Sequence, residues 1–105
     1  MADLTVIRWR DIPAQVTAKA GRVTARVQLS ERFQEAIDEA ALRAGLFGTD
    51  DYLAEWRRDR RPCGDDLEAE AKAEAERLES EYPDDVLAAL ARAGGLRQTD
   101  ERGSR

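Results

Sequence analysis

Two segments on either side of Gly21 alternate apolar and polar residues with a period of two, and this pattern constrains the fold more than any other. The segments are residues 14–19 and 23–29, with apolar positions at Ala14, Val16, Ala18, Val23, Ala25, Val27 and Leu29. Such alternation is typical of a β-strand with one buried face and one solvated face. Gly21 can adopt the positive φ that a tight hairpin turn needs. The sequence therefore predicts a β-hairpin that closes within the chain.

A further strand is predicted just before the hairpin. Residues 4–9 are rich in β-branched and aromatic side chains, which favour strands. Pro13 cannot donate a hydrogen bond to a strand ladder, so we expect the strand to end at Asp11-Ile12-Pro13. Together with the hairpin this predicts a three-stranded antiparallel meander.

Two helices are predicted after the meander. Ser30 is placed to cap the first helix with its hydroxyl, and Gly45 is placed to end it in the left-handed conformation. Thr49 is placed to cap the second helix, whose predicted span runs through the arginines of residues 57–61 to Pro62. The helical spacing of apolar residues supports both helices, at Phe33, Ile37, Ala40, Ala41 and Ala44 in the first and at Tyr52, Leu53 and Trp56 in the second.

The chain after Pro62 is predicted to be an acidic helical extension. Its first helix has a thin apolar seam, at Leu67, Ala71, Ala75, Leu78 and Tyr82, and we expect it to bury little. Charged residues flank the seam, at Glu68, Lys72, Glu74 and Glu79. Pro83 is predicted to open a last short helix that ends at Gly94-Gly95. The predicted fold class is α+β: a compact domain over 1–62, an acidic helical extension over 63–96 and a disordered tail over 97–105.

Composition narrows the class of protein. The net charge is −5 and 37% of residues are charged, and no apolar run approaches the ~20 residues that span a bilayer. Cys63 is the single cysteine, so no internal disulfide is possible. We expect a cytoplasmic protein.

The residues of a recognisable active site are missing from the sequence. There is no histidine, which is the commonest general base and metal ligand. The carboxylates of Asp65, Asp66 and Glu68 lack the spacing of a calcium loop. Neighbouring arginines could favour a Cys63 thiolate, but a passive linker cysteine is the preferred interpretation. We therefore predict a non-enzymatic protein without catalytic, cofactor-binding or metal-binding residues.

One alternative is a DNA-binding protein. A strand followed by two helices resembles the ribbon-helix-helix fold of small repressors and antitoxins, whose paired strands enter the major groove. Thr24, Arg26 and Gln28 would be the reading residues. A strand already paired within its own chain speaks against this alternative, and so do Asp50 and Asp51 where a phosphate would lie.

The preferred interpretation is a protein-interaction module. A small sheet with one covering helix leaves edges that need a neighbour. Tryptophan and arginine dominate interface hot spots, so the predicted partner-binding residues are Trp9, Arg10 and Trp56. The partner would be another protein or a second copy of the chain.

Three segments resemble a bacterial domain family called "virulence factor". They are IRWRDIPAQV at 7–16, LSERFQEAID at 29–38 and GTDDYLAEWR at 48–57, within a resemblance that covers roughly residues 3–61. The most specific run is Trp9 to Val16. The resemblance implies an accessory role alongside enzymes of folate- and corrinoid-linked one-carbon metabolism.

Overall fold

The computed structural model describes residues 2–97, which form four strands and four helices. The elements follow one another as β1 (Asp3–Trp9), β2 (Ile12–Ala20), β3 (Val23–Gln28), α1 (Glu31–Arg43), α2 (Asp50–Ala54), β4 (Trp56–Pro62), α3 (Leu67–Glu81) and α4 (Asp84–Arg92). The α+β class predicted from the sequence is confirmed.

One four-stranded antiparallel sheet organises the molecule, with the strand order β3-β2-β1-β4. The predicted hairpin is present: β2 and β3 pair from Gln15↔Gln28 to Ala20↔Val23, and Gly21 has φ 60°. β1, β2 and β3 form a meander as predicted, but the prediction of three strands is wrong, because β4 pairs with β1 as a fourth.

The predicted second helix is wrong beyond Ala54. The α2 helix lasts five residues, and Trp56–Pro62 forms β4, which pairs with β1 from Trp9↔Trp56 to Asp3↔Pro62. Arginine is a good helix former, so the local sequence favoured a helix. Strand pairing with β1 outweighs this helix propensity, because without β4 the outer N–H and C=O groups of β1 would have no strand partner.

Pro13 does not interrupt the sheet as expected. It lies inside β2 and is fully buried. The pairing of β1 with β2 shifts between Ile7↔Gln15 and Arg8↔Pro13. Proline is tolerated at such an irregularity because the ladder there does not need its missing N–H donor.

The ends of α1 agree with the sequence in position but only partly in mechanism. Gly45 has φ 74°, and the amides of Gly45 and Leu46 donate to the carbonyls of Leu42 and Ala41, as in a Schellman motif. Ser30 is the N-cap residue, yet its hydroxyl makes no capping hydrogen bond to the helix. Instead its Oγ donates to Glu79 Oε1 at 2.9 Å and its amide to Oε2 at 2.8 Å.

The α3 helix is the main cover of the sheet. This corrects the expectations that the first helix, α1, covers the sheet and that α3 buries little. It packs across β2 and β3, whereas α1 packs mainly against α4 and less against β2. The thin seam of α3 is buried, and so is Glu74. The side chains of both C-terminal helices join the same hydrophobic cluster as Leu4, Val6, Val16 and Ala18 of the sheet.

The end of α4 lies against the β1–β2 turn. Gly95 has φ 89°, and a Cβ built on it would lie 2.8 Å from Trp9 Cζ3, so glycine meets both a backbone and a packing requirement. The division of the chain after residue 62 stays a prediction. The predicted disordered tail lies, from residue 98 onward, outside the described residues.

Candidate functional site

The β1–β2 turn holds Arg10 in an unusual conformation. Arg10 has φ 53° and is the one non-glycine residue with positive φ among residues 2–97. Its amide donates to Glu55 O, its Nε to Glu55 Oε1 at 3.0 Å and its Nη1 to Gly94 O at 2.9 Å. The guanidinium also lies 5.1 Å from the centre of the Trp9 ring. These contacts hold a backbone conformation that costs of order 1 kcal/mol or more for a residue with a Cβ.

Asp11 ties the same turn to the segment after α4. Its amide donates to Gly95 O at 2.8 Å, and its Oδ2 accepts from the Arg97 amide at 2.5 Å. Its Oδ1 lies 3.6 Å from Arg57 Nη1. The turn thereby joins β4 to the C-terminal end of α4.

Beside this turn the side chains enclose a polar cavity of about 340 Å³ that opens to solvent. We call it the turn pocket, and it is lined by Arg8, Arg10, Asp11, Arg57, Asp59, Tyr82 and Arg97. Tyr82 is almost fully buried, and its hydroxyl oxygen accepts from Arg8 Nη1 at 3.3 Å and from Arg97 Nη2 at 3.1 Å. Four guanidinium groups therefore converge on one small cavity.

The face of the sheet away from α3 carries a second cationic group. Pairing aligns Arg60 with Thr5, Thr17 and Arg26 in one row across the sheet, while Arg58 and Lys19 lie in the adjacent rows. We call Thr5, Thr17, Lys19, Arg26, Arg58 and Arg60 the open face. Its four cations are exposed, and none forms an ion pair with any residue from 2 to 97.

The covered face of the same sheet differs, because its charges are paired. Arg61 donates to Glu74 Oε1 of α3 at 3.0 Å, and Arg77 Nη2 lies 2.6 Å from Glu74 Oε2. Hydrogen bonding from Arg77 is the main cause that lowers the pKa of the Glu74 carboxyl below its ordinary value, against the effect of burial. Glu74 is therefore held ionised within the core at 5% exposure.

Glu79 plays a similar part at the start of α1. Burial acts to raise the pKa of its carboxyl, but the hydrogen bonds from Ser30 and Arg32 outweigh burial and lower that pKa overall. The carboxylate lies where the helix dipole of α1 favours negative charge. Glu79 thus links α3 to α1.

The predicted partner-binding residues lie in different surroundings. Trp9 is fully buried, and its indole N–H donates to Tyr52 O at 2.9 Å; it offers no surface to a partner. Arg10 is 16% exposed and lines the turn pocket. Trp56 is half-buried, packs edge-on against Tyr52 and lines a second cavity with Gln15, Gln28 and Arg58. The direct role of these residues in binding stays a prediction.

The residues of the DNA-binding alternative are exposed on β3, as the solvated side of a strand requires. Thr24, Arg26 and Gln28 pair with Lys19, Thr17 and Gln15 of β2 within the same chain. The strand-helix-helix order on which that alternative rests is present as β3, α1 and α2, but α2 lasts only five residues and β3 is already paired with β2.

Neither a metal site nor a reactive thiol is supported by the described residues. Within residues 2–97 no group of three or more acidic or cysteine side chains is arranged to hold a metal ion. Burial first, and then the nearby Glu70 and Asp3 carboxylates, raise the pKa of the Cys63 thiol, and Arg61 counteracts them only in part. The thiolate is thus disfavoured at neutral pH.

Sequence reasoning found Arg10 but missed the other residues of the turn pocket. These residues come from four separate places in the chain, at Arg8, Arg57, Tyr82 and Arg97, and no spacing rule connects them. The one signal in the sequence was the run Trp9 to Val16, the most specific part of the family resemblance, because the turn beside the pocket lies within it.

No helix within residues 2–97 combines the length and apolar character needed to cross a membrane.

Comparison with known proteins identifies the family. Neither curated proteins nor solved structures contain a significant match. The model of the family described as "Virulence factor" matches residues 7–91, from β1 to α4. Because this match covers most of the chain and extends beyond residue 61 into α3 and α4, the protein belongs to the virulence factor family.

Proposed function

We propose that the protein is a non-enzymatic interaction module whose open face docks against an acidic surface of another protein. The observation that carries the proposal is a set of four exposed cations on one sheet face, without ion pairs among residues 2–97, in a chain with net charge −5. Cations gathered on one face attract an acidic partner and orient it during encounter.

The geometry of the open face supports recognition of carboxylates. Thr5 and Thr17 lie side by side between Arg60 and Arg26, so two hydroxyl groups separate two guanidinium groups. Arginine binds carboxylates through two parallel hydrogen bonds, and threonine hydroxyls can donate further ones. Trp56 lies two residues from Arg58 on the same strand, where a half-buried indole can contribute a contact of hot-spot type.

We propose in addition that the protein is an accessory protein without enzymatic activity of its own. The lack of histidine supports a non-enzymatic role. An accessory role beside a cytoplasmic enzyme of folate- or corrinoid-linked one-carbon metabolism has the family resemblance as its support. The alternative of a DNA-binding repressor would need β3 as a strand that enters the major groove, and β3 is already paired with β2 within the chain.

The test compares the wild-type chain with two charge-reversed variants. Arg58→Glu/Arg60→Glu alters the open face, and Lys72→Glu/Arg92→Glu makes the same change of charge at exposed helix positions. Each tagged full chain is purified with its bound proteins, which are identified by mass spectrometry. The proposal expects a partner that the control variant retains and the open-face variant loses.

The affinity for that partner, once purified, should fall as salt is raised. Equal recovery by both variants would reject the open face as the docking surface. Turnover of a substrate by the isolated protein would reject the non-enzymatic role. Binding to duplex DNA that Arg26→Ala abolishes would favour the repressor alternative.

A further inference from the structure

We infer that the turn pocket binds the phosphate group of a small molecule. This site is separate from the open face, because Arg57 and Arg58 point to opposite sides of β4 as neighbouring strand residues do. The inference therefore stands independently of the proposed docking function.

The guanidinium groups of the pocket have donors to spare. Within residues 2–97, Arg8 and Arg10 make two side-chain hydrogen bonds each, Arg97 makes one and Arg57 makes none. The ion pairs of Arg57 are long, at 3.6 Å to Asp11 and 3.9 Å to Glu55. Each guanidinium carries about five N–H donors, so most of them remain free to meet an anion.

The Tyr82 hydroxyl adds a neutral donor. Its oxygen already accepts hydrogen bonds from Arg8 and Arg97, and its own hydrogen finds no acceptor among residues 2–97. The tyrosine is 4% exposed and lines the cavity. A buried donor without a partner is costly, and a ligand oxygen in the cavity would satisfy it.

The charge of the pocket suits an anion with several oxygens. Asp59, Asp11 and Glu55 oppose the four arginines, so one positive charge is left over. A carboxylate has two oxygens and satisfies one guanidinium fork, whereas a phosphate accepts from several forks that approach from different directions. The volume of about 340 Å³ leaves room for a small organic group attached to the phosphate.

The site is also held in place before any ligand arrives. Arg10 is fixed by Glu55, Gly94 and the Trp9 ring, and Arg8 Nε is fixed by Asp59 Oδ2 at 2.7 Å. Side chains fixed by such partners lose little entropy on binding.

The experiment is a calorimetric titration of the full chain at low ionic strength. The probes are inorganic phosphate, glycerol phosphate as a phosphate ester, and acetate as a carboxylate. We expect both phosphates to bind, and acetate to bind at least about tenfold more weakly. Tighter binding of glycerol phosphate than of inorganic phosphate would identify an ester as the preferred source, and the reverse order would identify the free ion.

Three variants locate the site. Arg57→Gln should weaken phosphate binding about tenfold, and Tyr82→Phe, which keeps the ring, about threefold to tenfold. Arg58→Gln removes the same charge from the next residue of β4 and should change affinity less than about twofold. Thermal unfolding checks that each variant is folded, and the half-exposed Arg57 makes its variant the safer of the first two.

Three results would overturn the inference. They are the absence of any binding of either phosphate, acetate binding as tightly as phosphate, and equal weakening by Arg57→Gln and Arg58→Gln. The last result would mean that phosphate senses only the general surface charge. None of them bears on the partner purified through the open face.

Discussion

Both faces of the sheet carry arginine side chains, but those on the covered face form ion pairs and those on the open face do not form any among residues 2–97. On the covered side of β4, Arg61 pairs with Glu74 of α3, and Asp59 pairs with Arg8 of β1. On the open side, Arg58 and Arg60 are exposed and have no ionic partner among residues 2–97. One strand therefore contributes to the stability of the fold with one side and presents charge to the surroundings with the other.

This contrast separates structure from function. A carboxylate withdrawn from water requires its partners, so charges on the covered side are fixed by folding. Exposed charges contribute little to stability and can be changed without unfolding the chain. Substitutions on the covered face should therefore lower stability, whereas substitutions on the open face should affect binding.

The largest expected effect comes from removing the cover of the sheet. A fragment of residues 1–62 lacks α3 and α4 and exposes Leu4, Val6, Val16 and Ala18, which are buried in the full chain. We expect it to lose cooperative folding altogether, because burial of apolar area is the main favourable term in a small domain. Thermal unfolding followed by circular dichroism measures this.

A chain that ends at residue 97 is the control for that fragment and should unfold like the full protein. A sharp unfolding transition of the 1–62 fragment would contradict the expectation and support the division of the chain after residue 62.

Glu74→Gln tests the covered side alone. It removes the charge that Arg61 and Arg77 share, and both arginines are about half exposed, so water compensates part of the loss. We expect the free energy of unfolding to fall by about 1–3 kcal/mol, below the cost of breaking a fully buried pair. Urea denaturation measures it. Glu76→Gln, at an exposed position of the same helix, should stay within about 0.5 kcal/mol of the wild type.

Acidification should act on the same carboxylate. Because the pKa of Glu74 is lowered on folding, chiefly by Arg77, its contribution to stability is present above the ordinary value of 4.5 and is lost as the pH falls through the lowered value. Glu79 acts in the same sense. As the pH falls below about 4.5, the melting temperature of the wild type should therefore drop. The melting temperature of Glu74→Gln should fall less steeply over the same range. Parallel pH profiles of variant and wild type would show that Glu74 makes no such contribution.

The smallest effect is expected on the open face. Arg58→Gln/Arg60→Gln should change the free energy of unfolding by less than about 0.5 kcal/mol, because neither residue has an ionic partner in the described part of the chain. Arg61→Gln on the covered side of the same strand should cost about 1 kcal/mol. A loss for the open-face variant as large as that for Arg61→Gln would remove the distinction between the two faces.

The sequence predicted the elements whose signals are local. The hairpin at Gly21, the end of α1 at Gly45 and the Thr49 cap, whose hydroxyl accepts from the Tyr52 amide, were all predicted from residues close to one another in the chain. Each depends on a backbone conformation or a hydrogen bond between near neighbours.

The wrong predictions share a different cause. In residues 56–62 helix-favouring arginines concealed a strand, because the deciding interaction is with β1, more than forty residues away in sequence. Glu74 and Glu79 looked like solvated flanks of a thin seam, since their partners Arg61 and Ser30 lie on other elements. Of the turn-pocket residues, only Arg10 was predicted to bind a partner. The pocket itself was not predicted, because its side chains come from β1, β4 and both ends of the last helix.

The sequence by itself determined the α+β class, the closed hairpin, both ends of α1, the start of α2 and the family, because periodicity, glycines and caps act over a few residues. Tertiary structure alone decided that Trp56–Pro62 is a strand, that α3 covers the sheet and that four arginines meet at one turn. Those outcomes depend on which distant groups are left unpaired when the chain collapses, and a linear pattern does not record that.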